Sequence, residues 1–283
     1  MQNKSFFVRD ESNHEIIHPT SSAVGPWDPS MMHGRVLCGL VVQGAEEKLA
    51  SIDEIDLYQA ARVTVDMFRF PAMKPLKIVT EIVRDGKRIK VIDVHVMSVN
   101  DDQIIEIVKG SVVWLLKTED TKGKVWMPDE WNFTPPSKDL PFFDEATLDN
   151  PGHQNPIWET LDPETGKQFQ LNNQTEKNGP KTAWIRETHD FIEDEETSAL
   201  LRVAQVADYA NPLANLSNIG LEYINVDVTL YLQRNPISEW IGVETLYHGA
   251  SMGVSVGSMN IYDSNGRIGM STVAGLAQAK SMK

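Results

Sequence analysis

One cysteine in 283 residues leaves this chain no intrachain disulfide framework and no cysteine-based zinc cluster. That residue, Cys38, sits in the apolar run RVLCGLVVQ, and the lack of disulfides fits a reducing cytoplasm. Long hydrophobic runs are also missing: no segment approaches 18 uncharged apolar residues, and the polar start MQNKSFFVRDESNHEIIHP lacks a signal peptide's apolar core. The expected protein is therefore soluble and cytoplasmic. Basic charge is scarce, with 26 Lys and Arg against 40 Asp and Glu, a net charge of -14 and a pI of about 4.9. A nucleic acid or an anionic membrane finds no general attraction here, and neither is expected as a partner. An anionic substrate would need a local basic patch.

The familiar catalytic signatures are absent as well. There is no GxSxG elbow, no P-loop and no HExxH, and VGPWDP and HGASMGVSVG lack the spacing and strand-to-helix context of a dinucleotide fingerprint. This excludes a standard serine hydrolase, NTPase or dehydrogenase. The seven histidines are dispersed without helical ligand spacing, so no metal site is expected.

What is present is a core-forming composition, 41% hydrophobic, arranged as one order of elements used twice. In the first half, Val36, Leu37, Leu40, Val41 and Ala45 recur at three- and four-residue spacings and predict a buried central helix. ARVTVDMFRF, LKIVTEIVRDGKRIKVIDVHVMSV and IIEIVKGSVVWLL follow as an antiparallel meander, with RDGK as a hairpin turn. In the second half, TAWIRETHDFI reads as a first strand and EETSALLRVAQVADYANPL as the helix. The segments from LEYINVDVTLYL onward form the second meander, with DSNGR as its turn. The boundaries predicted are 1–119 for the first unit, 120–180 for a Pro- and Asn-rich excursion, and 181–283 for the second unit. Trp126, Trp131, Phe142, Phe143, Trp158 and Phe169 suggest that aromatics pin the excursion to the surface. The fold class is α+β, two antiparallel sheets each wrapped around a helix.

With WIR before the second helix, ADYANPL at its end, EWIGVET in a later strand and a final NGRIGMSTVAGLAQ, the chain resembles the double hotdog acyl-CoA thioesterases of the thioesterase II (TesB-like) kind. The likeness covers most of the chain except the excursion, and MMHGRVLCGLVVQGAEE is similar to a hotdog helix start. It implies a tandem hotdog, hydrolysis of an acyl-CoA substrate to a free acid and coenzyme A without a cofactor, and, because hotdog units associate in pairs, a homodimer.

In that family a helix carboxylate, a strand threonine and a glutamine on the last strand position and activate the attacking water. Carried over, the carboxylate falls on Asp208, the threonine position on Asn225 and the glutamine position on Ala274. Asp208 can serve as base, and Asn225 can hold the water through its amide. Thr272 shares a strand face with Ala274 and can stand in for the glutamine, whereas Gln278 lies too far along without a bulge. His33 and Gly34 are expected to line a helix start at the substrate. Gln43, ten residues after His33, leaves the first unit without a carboxylate base.

Plainer readings compete. Asp208 can be an ordinary helix-end acid, Asn225 a solvent-facing strand residue and His33 a capping residue. Arg69, Lys74, Lys77, Arg84, Lys87 and Arg88 can hold the phosphates of coenzyme A or form a solvated face. DYANPLANL is faintly similar to a hydratase motif, but Ala214 stands where its histidine is needed. A binding protein that kept the fold and lost efficient catalysis stays open because of Ala274.

Overall fold

The computed structural model describes residues 5–25, 27–100, 103–127, 134–137, 158–167 and 179–278. The chain opens with a hairpin, β1 (Ser5–Arg9) and β2 (Ile16–Pro19), then enters the helix α1 (Gly34–Ala50). A meander follows: β3 (Tyr58–Met67), β4 (Leu76–Asp85), β5 (Ile89–Asn100) and β6 (Gln103–Leu116). After β7 (Trp158–Leu161) come β8 (Thr182–Glu187) and β9 (Asp190–Ile192), then the short helices α2 (Ala199–Ala207) and α3 (Ala210–Asn215). The small strands β10 (Leu216–Ser217), β11 (Gly220–Leu221) and β12 (Tyr223–Asn225) lead into the second meander. That meander consists of β13 (Asp227–Leu232), β14 (Ile241–Ser251), β15 (Val254–Asp263) and β16 (Gly266–Ala277).

The helix-then-meander order predicted twice is therefore what the chain adopts. The two meanders share one continuous sheet, joined where β3 pairs antiparallel with β13 and Thr64 stands opposite Thr229. The one parallel pairing among the described strands sets β1 beside β9, with Phe7 opposite Ile192, so the first segment of the chain ties the units together at the far edge. Both predicted hairpin turns fall between paired strands, at Gly86 between β4 and β5 and at Ser264–Asn265 between β15 and β16.

α1 has no polar stripe along most of its length; Val36, Leu37, Cys38, Leu40, Val41, Val42 and Ala45 are all buried. A helix apolar on every side must be enclosed on every side, and here the sheet curves around it while α2 packs against it. Close approach depends on Gly110 of β6, where an added methyl would stand only 2.2 Å from Val41 Cγ1. Val63, Val65, Val112 and Trp114 complete that wall, and each full burial of a Val-sized side chain stabilises by about 1.5–3 kcal/mol.

The second helix departs from expectation. It breaks at Asp208–Tyr209, so that α2 and α3 replace one continuous helix. Pro212 has no N–H to offer the Asp208 carbonyl, which instead accepts from Asn211 N at 3.2 Å. TAWIRETHDFI likewise divides into β8 and β9. The excursion contributes β7, paired with β8. Trp126 does not pin it, being 82% exposed. Trp131, Phe142, Phe143 and Phe169 lie outside the described residues, and Trp158 is described only as a strand position.

Candidate active site

The break after α2 decides where Asp208 points. As the residue that ends α2, it leaves the apolar face of the helix and turns its carboxylate toward the start of α1, yet it remains only 4% exposed. A methyl built on Gly34 would lie 3.0 Å from its Oδ1 and 3.1 Å from its Oδ2. At the first turn of α1, the N-cap His33 takes the Arg35 and Val36 N–H groups, and α1 carries no acidic residue of its own in that turn. Asp208, from the other unit, supplies the negative charge that the positive end of the helix favours.

Asn225 closes the other side. It ends β12, and its Nδ2 donates to Asp208 Oδ1 at 2.8 Å. His33 is the N-cap of α1; its Nδ1 accepts from Arg35 N at 3.2 Å and stands 3.4 Å from Asp208 Oδ2. A ring nitrogen that accepts a backbone N–H carries no proton, so the ring keeps its proton on Nε2. Burial agrees, since it pulls the His33 pKa below the ordinary range despite the nearby carboxylate. Cys38, on the same helix, is held in the thiol form by burial and, secondarily, by the charge of Asp208.

The structure thus brings together Asp208, Asn225, His33 and Gly34, and leaves Thr272 out. On β16 the buried Ser271 donates through Oγ to Ala207 O at 2.8 Å, which fixes odd-numbered positions toward the helix. Thr272 therefore points to the opposite face, opposite Thr229 on β13 and Ser258 on β15. Ala274 shares that outer face, its N–H bonded to the Asp227 carboxylate at 2.5 Å. The inward positions at this level are Ser271, Val273 and Gly275, none of which carries an amide side chain. Gln278 donates its backbone N–H to Glu222 O at 2.8 Å and is exposed.

Amides reach the site from elsewhere. Asn211 and Asn215 of α3 are 2% and 4% exposed, and Asn211 Nδ2 donates to the Tyr223 carbonyl at 3.0 Å and to Asn225 Oδ1 at 3.3 Å. Neither residue is among the sequence-predicted site residues; the signal for them is the pair of asparagines four residues apart on the helix that follows Asp208.

Gln43, at the corresponding place in the first unit, donates to Glu47 Oε1 at 2.8 Å and Glu195 Oε2 at 3.3 Å, and Arg9 of β1 pairs with both of those acids. These four side chains form a partly exposed polar cluster. Of the basic residues, Lys77 pairs with Glu15 at 2.6 Å and Arg69 donates to Glu106 O at 2.8 Å, while Arg84, Lys87 and Arg88 stand at the β4–β5 hairpin. Among the described residues no group of three or more His, Cys, Asp or Glu could hold a metal, and no helix is long and apolar enough to cross a membrane.

Two family models match the chain: the acyl-CoA thioesterase N-terminal domain over residues 23–115 and the acyl-CoA thioesterase C-terminal domain over residues 138–274. Among solved structures, a tesB protein of Mycobacterium avium subsp. paratuberculosis is similar at a TM-score of 0.64 and 12% identity, covering 95% of this chain and 96% of its own. An acyl-CoA thioesterase II, TesB2, of Mycobacterium marinum gives 0.60 and 15%, with 97% of each chain covered. A conserved protein with a hot dog fold from Alicyclobacillus acidocaldarius gives 0.60 and 13%, with 94% of each chain covered. These likenesses establish the fold, a double hotdog. No curated protein matches the sequence.

Proposed function

Because the chain belongs to the acyl-CoA thioesterase family, we propose that it hydrolyses an acyl-CoA to the free acid and coenzyme A, with Asp208 activating the attacking water. The observation that carries this reading is a buried carboxylate held by a directed amide at the start of a buried helix. Thioester hydrolysis needs an acceptor for the water's proton and donors for the oxygen that becomes negative. Asp208 Oδ2, the oxygen not taken by Asn225, accepts the proton as the water oxygen bonds to the carbonyl carbon. The backbone N–H of Gly34, at the start of α1, faces the developing oxyanion. Collapse of the tetrahedral intermediate breaks the carbon–sulfur bond and releases coenzyme A as its thiolate, which takes up a proton. Gly34 lets the carboxylate approach the helix start, where a side chain would push it away, and neutral His33 keeps a second charge out of the site.

One observation favours the alternative, a hotdog protein that binds an acyl-CoA or another apolar ligand and turns it over poorly or not at all: the inward face of β16 offers no amide beside Asp208. Free-thiol release from short, medium, long and aromatic acyl-CoAs separates the two. Activity in the wild type with at least about a hundredfold loss in Asp208→Asn supports hydrolysis. Equal rates in both proteins, or no rate above background in either, would overturn it.

A further inference from the structure

Behind Asn225 stands a line of side chains that runs to the surface. His248 Nδ1 lies 2.8 Å from Asn215 Oδ1; Asn215 Nδ2 donates to Asn211 Oδ1 at 2.9 Å. Asn211 Nδ2 donates to Asn225 Oδ1 at 3.3 Å, and Asn225 Nδ2 to Asp208 Oδ1 at 2.8 Å. The chain has one direction only. An ionised carboxylate can only accept, so the Asn225 atom facing it must be nitrogen and the far atom oxygen. The Tyr223 carbonyl, also only an acceptor, independently requires Asn211 to present its nitrogen on that side. Each amide then fixes the next, and His248 must carry its proton on Nδ1. The imidazole is exposed, on β14, and meets the Tyr223 ring edge-on at 6.5 Å between centroids.

Building on the thioesterase reading, we propose that Asn211, Asn215 and His248 are positioning residues that hold the Asn225 amide with its donor toward Asp208. None of the three touches the reacting atoms. Their effect is on the orientation of Asn225: an amide turned by half a revolution would face the carboxylate with its oxygen, and Asp208 would swing away from the helix start. Hydrogen bonds aligned head to tail in a water-poor interior reinforce one another, which is why a donor at the surface matters to an acceptor at the other end.

The test uses two substitutions at the exposed position. His248→Phe keeps a ring against Tyr223 and removes the donor; His248→Asn removes the ring and keeps an N–H at the place of Nδ1. Asn211→Asp supplements them by removing the donor to Asn225 with little change of shape. The expected result is a fall in kcat of about three- to tenfold for His248→Phe with KM within about twofold, wild-type kcat for His248→Asn, and a fall of about a hundredfold for Asn211→Asp, the scale of a displaced catalytic group. A second readout needs no turnover: hydrogen exchange of the Asn225 side-chain amide, followed by its nitrogen–proton resonances. That exchange is expected to be slow in the wild type and His248→Asn and faster in His248→Phe. If the wild type hydrolyses no acyl-CoA, the thioesterase reading fails, and the exchange rates alone decide the positioning role. Equal exchange in His248→Phe and wild type, or an Asn variant as impaired as the Phe variant, would overturn the proposal. Should Asn211→Asp fail to fold, the exposed His248 pair still decides.

Discussion

Gly34 and Asp208 come from different halves of the chain and face each other so closely that a methyl on Gly34 would stand 3.3 Å from Asp208 Cγ and nearer still to both carboxylate oxygens. The carboxylate is buried and bonded to Asn225, so it has little room to retreat. Gly34→Ala is therefore expected to displace it by a few tenths of an ångström and to lower kcat/KM about ten- to a hundredfold, while the thermal midpoint moves little. Steady-state kinetics on the best acyl-CoA of the panel, beside a melting curve, checks this. A fully active Ala variant would mean that the carboxylate does not work against the helix start.

The alternation along β16 makes a paired prediction. Ser271 turns inward and satisfies the Ala207 carbonyl, whereas Thr272 turns outward. Ser271→Ala is expected to destabilise the fold by about 1 kcal/mol, because a buried carbonyl loses its donor. Thr272→Val should leave kcat within about twofold of wild type. Urea unfolding of the first and kinetics of the second are the measurements, and a large loss of activity in Thr272→Val would return that residue to the site.

How much of this was legible in the sequence depended on whether a signal was local. The apolar spacing from Val36 to Ala45 and the Asp-Gly and Asn-Gly turns specify a helix and hairpins within a few residues of themselves, and the structure has them. Asp208 stands out in the sequence as a candidate because an acid closing the run VAQVA conflicts with a buried face. The facing of β16 was not: alternation tells which residues share a side, but only Ser271 packed on α2 tells which side is inward. The break after α2 follows from Pro212, whose missing N–H acts on a carbonyl four residues back. His248 meets Asn215 across 33 residues of chain, through a sheet curvature that no local pattern encodes.

Arg35 offers a test of stability separate from turnover. It is fully buried on α1, paired with Glu187 of β8 at 2.5 Å and stacked 4.5 Å over the Phe6 ring. Burial pushes the Arg35 pKa down and the Glu187 pKa up, each against the attraction of the other. Removing one partner leaves an uncompensated buried charge, so Arg35→Ala is expected to destabilise by about 3–5 kcal/mol. Arg35→Met with Glu187→Leu removes both charges and should recover most of that loss. Denaturant midpoints of the single and double variants measure it; a double variant no more stable than Arg35→Ala would show that the guanidinium contributes through packing and not through charge.

Glu46 gives the molecule a pH dependence whose sign can be worked out. It lies half-buried on α1 and accepts from Ser198 Oγ at 2.7 Å; Ser198 is also the N-cap of α2, accepting from Leu201 N at 3.0 Å. Burial raises its pKa to about 7 from an ordinary 4.5, outweighing the serine hydrogen bond, and the charge of Glu47 adds to the rise. A raised carboxyl binds its proton more tightly folded than unfolded, so between those two values folding takes up protons. Its contribution to stability is complete below about 4.5 and is lost as pH rises through about 7. At 1.36 kcal/mol per unit the full loss would be about 3 kcal/mol, and partial exposure reduces it to about 1–2 kcal/mol. Glu46→Gln carries no such titration and keeps an oxygen for Ser198. Wild type minus Glu46→Gln, measured by urea unfolding, is therefore expected to become less favourable by about 1–2 kcal/mol between pH 5 and pH 8. A difference that stays constant over that interval would mean that Glu46 is ionised throughout, with water reaching it at the junction of the two helices.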